Sequence, residues 1–193
     1  MDTQEAIMTR RSIRHLKPDP IDDAAIEKIL EAGRWAPSWA NTQCWRFIVV
    51  RDAKAKEDIS GCLIDMLDTG KGYINPGLKA VLTAPVIIVV CARIGVSGCR
   101  HGDSTYVTDK GDWYLFDTAL AIENMLLAAH ELGLGTVIMG AFHAPEVEKV
   151  LGIPEGYRVV TLLPLGVPAR EGKAPPRLEL DEITFRDRWG NKY

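Results

Sequence analysis

A soluble fold that mixes helices with β-strands is what this sequence predicts, on three observations. Segments of helical periodicity alternate with short apolar runs rich in Val and Ile. Of all positions 47% are hydrophobic, while Lys+Arg 23 against Asp+Glu 26 leave a net charge of -3, the balance of an ordinary globular protein. A length of 193 residues suffices for one core without staples, because folding such a chain removes about 70% of its surface from water.

Helix formers around Ile7 and Met8 predict a first helix over 1–9, and Asp22-Asp23 starts a second that runs to Gly33 with Ile26, Ile29 and Leu30 on one face. Phe47-Ile48-Val49-Val50 reads as a buried strand, Asp52 to Leu67 as a helix with Ile59, Leu63 and Leu67 aligned, and Val86 to Cys91 as a second strand. From Ile94 to Asp112 Gly, Ser, Asp and Thr follow no period, which predicts a long loop of the kind that serves as a lid or binding loop. Tyr114 to Leu132 is helical and apolar nearly all round, so it needs burial on several faces, at the centre of a domain or in a subunit interface. Gly133 suits its C-terminal cap. Further strands are expected from Thr136 and over Val159 to Leu165, ended by Pro168. The tail, Glu171 to Tyr193, carries Ile183, Phe185 and Trp189 and is too apolar to be disordered. It should pack on something, a partner chain included. No repeat and no linker interrupts the chain, so 1–193 is read as a single domain.

Several function classes drop out. A slightly acidic chain lacks the cationic excess that phosphate-backbone binding requires, so nucleic acid is not an expected partner. The longest apolar runs fall far short of the roughly 20 residues that span a bilayer. The start, Met1-Asp2-Thr3-Gln4-Glu5, does not resemble a secretory signal, and Cys44, Cys62, Cys91 and Cys99 show no CxxC spacing. They read as reduced thiols of a cytoplasmic protein. Cys99 near His101 reads as a polar loop rather than half of a metal site. The scattered histidines and the lack of a nucleophile elbow give hydrolase and metalloenzyme readings little support.

Thr9 to Lys17 holds Arg10, Arg11, Arg14 and Lys17 and no acid. Three guanidiniums beside the Ser12 hydroxyl suit a phosphate; a solvated basic turn after a helix is an equal reading. Pro37-Ser38-Trp39-Ala40-Asn41-Thr42-Gln43 offers polar groups and aromatic surface to a planar heterocycle, although by itself a capped turn with a core tryptophan is the simpler reading. Gly133-Leu134-Gly135-Thr136 follows a helix and precedes a strand, the reverse of the dinucleotide fingerprint, and reads as a helix-ending turn.

Taken in order, TRRSIRHLKPDPI, WAPSWANTQCWRFIVV, LAIENMLLAAHELGLGTVIMGAF and VPAREGKAPPRLELDEITFRDRW resemble the nitroreductase family of FMN-dependent oxidoreductases, from about residue 4 to residue 189, with a divergent, lid-like segment at about 71–113. The resemblance implies an α+β fold around a mixed, mostly antiparallel sheet, in an intertwined homodimer with C-terminal exchange and FMN at the interface. It implies that Arg10, Arg11 and Ser12 surround the FMN phosphate and ribityl chain, with Arg177 as a distal phosphate arginine. Arg14 matches the cation at the flavin N(1)/C(2) edge, where a guanidinium stabilises the negative charge of the reduced ring. Pro37, Ser38, Trp39, Asn41 and Gln43 match the loop that the other subunit lays against the flavin, and Gly140 and Ala141 match the turn whose amide approaches N(5). The implied activity is ping-pong hydride transfer from NADH or NADPH, through FMN, to a nitroaromatic, quinone or similar small aromatic acceptor. Flavin destruction, reductive dehalogenation and a non-catalytic FMN carrier or sensor are the alternatives. Tyr73, Tyr106, Trp113 and Tyr114 are equally readable as acceptor-stacking or packing residues. Three departures stand out: Cys44 where the family usually has Pro, no glutamate at Gly140, and Pro175 where a cation often precedes Arg177 by two positions. Lys71 and Lys79 are candidates for a ring-side lysine.

Overall fold

The strand Val86–Arg93 is buried along almost its whole length, and the fold is built around it. In the computed structural model, which describes residues 1–68, 72–100 and 102–193, this strand is β4. It lies in a four-stranded sheet with β1 (Trp45–Val50), β5 (Gly135–Thr136) and β6 (Tyr157–Gly166), in the order β1-β4-β6-β5. Every pairing between these strands is antiparallel; an isolated bridge from Ser12 to Thr136 adds a parallel contact. A small antiparallel pair, β2 (Leu67–Asp68) and β3 (Tyr73–Ile74), stands apart.

β4 reads as a continuous apolar run because both sheet faces are covered, and side chains alternate between them. Ile87, Val89 and Cys91 enter one core with Ile59, Val81 and Val147. These last three come from α3 (Ala53–Gly61), α4 (Leu78–Thr83) and α6 (Ala144–Val150). Val86, Ile88 and Val90 enter the opposite core with Ile29 and Met125, from α2 (Asp23–Arg34) and α5 (Tyr114–Glu131).

The helix starts are chemically marked. Asp2 accepts the Glu5 N–H (2.8 Å) before α1 (Thr3–Thr9), Asp22 the Ala25 N–H (2.7 Å) before α2, and Asp52 the Ala55 N–H (2.8 Å) before α3. Each carboxylate satisfies an N–H that the first helical turn leaves open. Gly133 ends α5 as expected: at φ 73° it donates to His130 O (2.9 Å) while Leu134 donates to Ala129 O (2.9 Å), the paired bonds of a Schellman turn.

One expectation changes, and two others meet only part of their burial within the single chain. The helix from Asp52 stops at Gly61. Leu63 instead bridges to Phe142 and Leu67 enters β2, so the apparent period of Ile59, Leu63 and Leu67 spans two kinds of structure. Helix α5 is not buried all round within the chain. Asp117, Thr118, Ala121, Ile122, Met125, Leu126 and Ala129 are covered, whereas Leu115 is 56% and Phe116 57% exposed. The tail, including α7 (Leu180–Ile183), packs chiefly on itself: the Phe185 and Trp189 rings lie 4.5 Å apart and Trp189 is 89% exposed. Among the described residues no helix is long and apolar enough to cross a membrane. Lys71 and His101 lie outside the described residues.

Candidate functional site

After α1 the cationic segment runs beside the sheet. Ile13 N–H donates to Thr136 O (2.8 Å), Lys17 N–H to Val167 O (2.8 Å), and Ala169 N–H to His15 O (2.9 Å). The chain beyond Pro168 passes so close that a Cβ on Gly172 would sit 2.5 Å from Arg11 Cβ. Glycine is required there for the approach.

Two recesses result. A cleft of about 430 Å³ is lined by Thr9, Arg10, Arg11, His130, Thr136 and Glu171 among others. A smaller one of about 210 Å³ is lined by Ser12, Arg14, His15, Arg170, Glu171 and Lys173 among others. Arg10 Nε lies 3.3 Å from Glu123 Oε1, an ion-pair distance, yet makes no hydrogen bond; Thr136 Oγ1 is likewise buried without one. Buried polar atoms are normally satisfied; here Thr136 Oγ1 has no hydrogen bond and Arg10 Nε has only the Glu123 carboxylate opposite it. His130 shares a 2.8 Å hydrogen bond with Thr9 Oγ1, and its pKa is lowered by burial and then by the positive charges of Arg10 and Arg11.

The Pro37–Gln43 loop is held differently. Ala40 (φ 44°), Asn41 (φ 56°) and Gln43 (φ 44°) all occupy the left-handed region, which costs a non-glycine residue about 1 kcal/mol or more. Such a backbone persists only where its surroundings fix it. Ser38 Oγ accepts the Gln43 N–H (2.9 Å), and Gln43 Nε2 donates to Asn41 Oδ1 (3.1 Å). Beneath them lies Asp117, only 1% exposed on the mostly apolar α5. Its oxygens accept the Trp39 N–H (3.1 Å to each), the Ser97 hydroxyl (2.6 Å) and, at 3.4 Å, that of Thr42. One carboxylate therefore ties the loop to Ser97 in the 94–112 segment. Burial pushes the Cys44 thiol up to about 12, with Asp117 and Asp112 adding to the effect. Trp39 packs on Trp113 (5.2 Å between centroids), and Trp113 on Phe116 (5.0 Å).

Gly140 and Ala141 form a third piece. Ala141 O accepts from Ile64 N–H (3.0 Å) and from Nδ2 of buried Asn75 (3.0 Å), whose Oδ1 accepts the Gly77 N–H (2.8 Å).

The fold thus gathers Arg10, Arg11, Ser12 and Arg14 against the 168–173 segment, with Gly140 a few residues beyond the Thr136 bridge. It places Pro37, Ser38, Trp39, Asn41 and Gln43 at the N-terminal end of α5. Arg177 lies in the exposed tail, where Nη1 donates to Pro175 O (3.1 Å) and Pro176 O (3.4 Å), and it lines neither recess. Trp113 packs between Trp39 and Phe116, while Tyr73 and Tyr106 are exposed, as is Lys79. Asp117 and Asn75 escaped sequence reasoning. An acid within an apolar helical run was the available signal for the first; a lone Asn before Pro76 gave none for the second.

Known proteins share the family pattern and the fold. The model of the nitroreductase family matches residues 7–167. A crystal structure of a nitroreductase family protein from Clostridium novyi NT is 35% identical and superposes with a TM-score of 0.73, covering 100% of this chain and 97% of that one. An FMN-dependent nitroreductase from Clostridium difficile R20291 is 26% identical, with a TM-score of 0.75 over 96% of this chain and 100% of its own. An NADH dehydrogenase of Thermus thermophilus is 29% identical over 208 residues, 96% of each chain.

Proposed function

The chain belongs to the nitroreductase family, and from that premise we propose that it is an FMN-dependent oxidoreductase. It would pass reducing equivalents from NADH or NADPH to a nitroaromatic, quinone or similar acceptor in a ping-pong cycle. The observation that carries the reading is a cleft of about 430 Å³ walled by Arg10 and Arg11, with the buried Thr136 hydroxyl left without a hydrogen bond beside them. A phosphate monoester suits that donor set, since guanidiniums bind phosphate oxygens through charge-assisted, often bidentate bonds.

Arg10, Arg11 and Ser12 would hold the phosphate and ribityl chain of FMN, with Arg177 as the distal cation. Arg14 would place a fixed positive charge at the ring edge, and the backbone of Gly140 and Ala141, pinned by Asn75 and Ile64, would frame the ring. When bound, FMN supplies the redox chemistry. The chain's own residues bind, orient and neutralise charge, and no acid–base side chain is assigned.

Pro37, Ser38, Trp39, Asn41 and Gln43 are read as reaching the cofactor of a second copy. The open face of α5 at Leu115 and Phe116, and the exposed apolar side chains of the tail such as Leu180 and Trp189, support a homodimer in which the tail crosses to the partner and brings Arg177 with it. A cytoplasmic setting suits four buried free cysteines.

The purified protein is expected to be yellow, with flavin absorbance that survives gel filtration and bleaches on anaerobic titration with NADH or NADPH. Colourless protein that takes up no added FMN overturns the reading. Flavin that dithionite reduces but neither nicotinamide does would make it a carrier or sensor instead.

A further inference from the structure

A recess of about 380 Å³ opens between the 39–43 loop and the 95–104 segment, and three guanidiniums line it: Arg46, Arg93 and Arg100, with Trp39, Asp103 and Ser104. Its volume is that of a small-molecule pocket. None of the three arginines belongs to an ion pair among the described residues. Arg46 donates to the carbonyls of Gln43 (3.1 Å) and Trp45 (2.6 Å) and lies over the Tyr157 ring at 5.9 Å. These contacts fix its position without neutralising it.

The nearby acids are committed elsewhere. Asp103 accepts both the N–H (2.9 Å) and the hydroxyl of Thr105, closing a turn. Asp112 takes the N–H groups of Gly95 (2.5 Å) and Tyr114 (3.1 Å), and Asp117 those donors already described. Asp103 partly answers Arg100, and Asp112 stands behind Gly95, yet three guanidiniums against one lining acid keep the lining itself in positive excess. Trp39 adds a flat apolar wall held by Trp113, so the recess pairs an aromatic surface with anion donors.

We propose that this recess is the acceptor subsite and that it selects aromatic acids: the ring lies against Trp39, and Arg93 and Arg100, backed by Arg46, hold the anionic substituent. The proposal rests on the oxidoreductase reading, because Trp39 belongs to the loop assigned to the cofactor. Charge on the acceptor, rather than ring size, then decides preference.

The holoenzyme is assayed with two probes of similar shape, 4-nitrobenzoate and neutral 4-nitrobenzamide. The parent is expected to favour the benzoate in kcat/KM by about tenfold, the effect of one charge-assisted bond, with the preference shrinking as salt is raised. In R93Q/R100Q the benzoate-to-benzamide ratio falls to near one, and R93K/R100K keeps most of it. A parent without preference, or a double variant with an unchanged ratio, overturns the proposal. So does a double variant in which the ratio holds while KM for NADH or NADPH rises, which would assign the guanidiniums to the donor's phosphates. If neither probe turns over and neither nicotinamide bleaches the flavin, the oxidoreductase reading fails by itself. Quenching of tryptophan fluorescence by the two probes then decides the subsite: tighter binding of the benzoate, lost in R93Q/R100Q, supports it, and equal binding overturns it.

Discussion

Replacing Asp117 with alanine should release the Pro37–Gln43 loop. The carboxylate is 1% exposed and Ser97, its closest partner at 2.6 Å, is fully buried. Orphaning the Ser97 hydroxyl and the Trp39 N–H costs about 1–3 kcal/mol each, and Trp39, being half-buried, falls near the lower figure. Two gains oppose this. A buried charge disappears, and the left-handed residues relax in part, together recovering about 1–2 kcal/mol. A net loss of about 1–2 kcal/mol follows. Asp117→Asn keeps one acceptor oxygen and should lose about half as much. Urea unfolding of the FMN-loaded protein at one fixed protomer concentration reads the difference. With a slope of about 2 kcal/mol per molar for a chain of this size, the alanine variant's midpoint falls by about 0.5–1 M. Near-UV circular dichroism should fall with it, because the Trp39–Trp113 pair loses its anchor. An alanine variant within about 0.5 kcal/mol of the parent would refute the idea that this carboxylate holds the loop.

His130 should titrate below its ordinary value of 6.5 in the unliganded protein, because burial and the neighbouring arginines disfavour its cation. Its contribution is therefore intact above about pH 6.5 and is lost as pH falls through the lowered folded value. Inorganic phosphate or FMN in the Arg10–Arg11 cleft should raise the pKa by offsetting that positive charge. Imidazole proton shifts followed by NMR check both statements, and a ligand-free value at or above 6.5 contradicts them. Arg14→Ala should lower the flavin reduction potential by about 30 mV or more, since losing about 1.4 kcal/mol of charge stabilisation corresponds to about 30 mV for a two-electron couple. A potential measured by dye equilibration and found unchanged removes Arg14 from that role.

How far the sequence was legible follows from how local each signal is. β4 and α2 could be read because their patterns are complete within one segment: an unbroken apolar run, and a capped start followed by Ile26 and Ile29 on one face. The short helices α4 and α6 bury few residues each, too few for a period to show. Leu63 and Leu67 imitated a helical face because strand and turn positions can fall at the same spacing. At the site, the Arg10–Arg14 cluster was visible as composition, whereas its neighbours Arg170, Gly172 and Lys173 arrive through pairing some 150 positions away. Asp117 depends on three partners from distant segments, which no single window contains.

That same carboxylate constrains how the protein can be altered. Because Ser97 of the 94–112 segment and Trp39 of the loop share one acceptor, the segment cannot be exchanged as a free cassette. A segment grafted from a relative to change acceptor range must present a donor where Ser97 stands, or the loop loses a restraint although its own residues are untouched. Among the described residues of that segment, Arg100, Gly102, Asp103 and Ser104 line the recess and make no hydrogen bond to Asp117. Substrate range can drift there while the polar knot under α5 stays fixed.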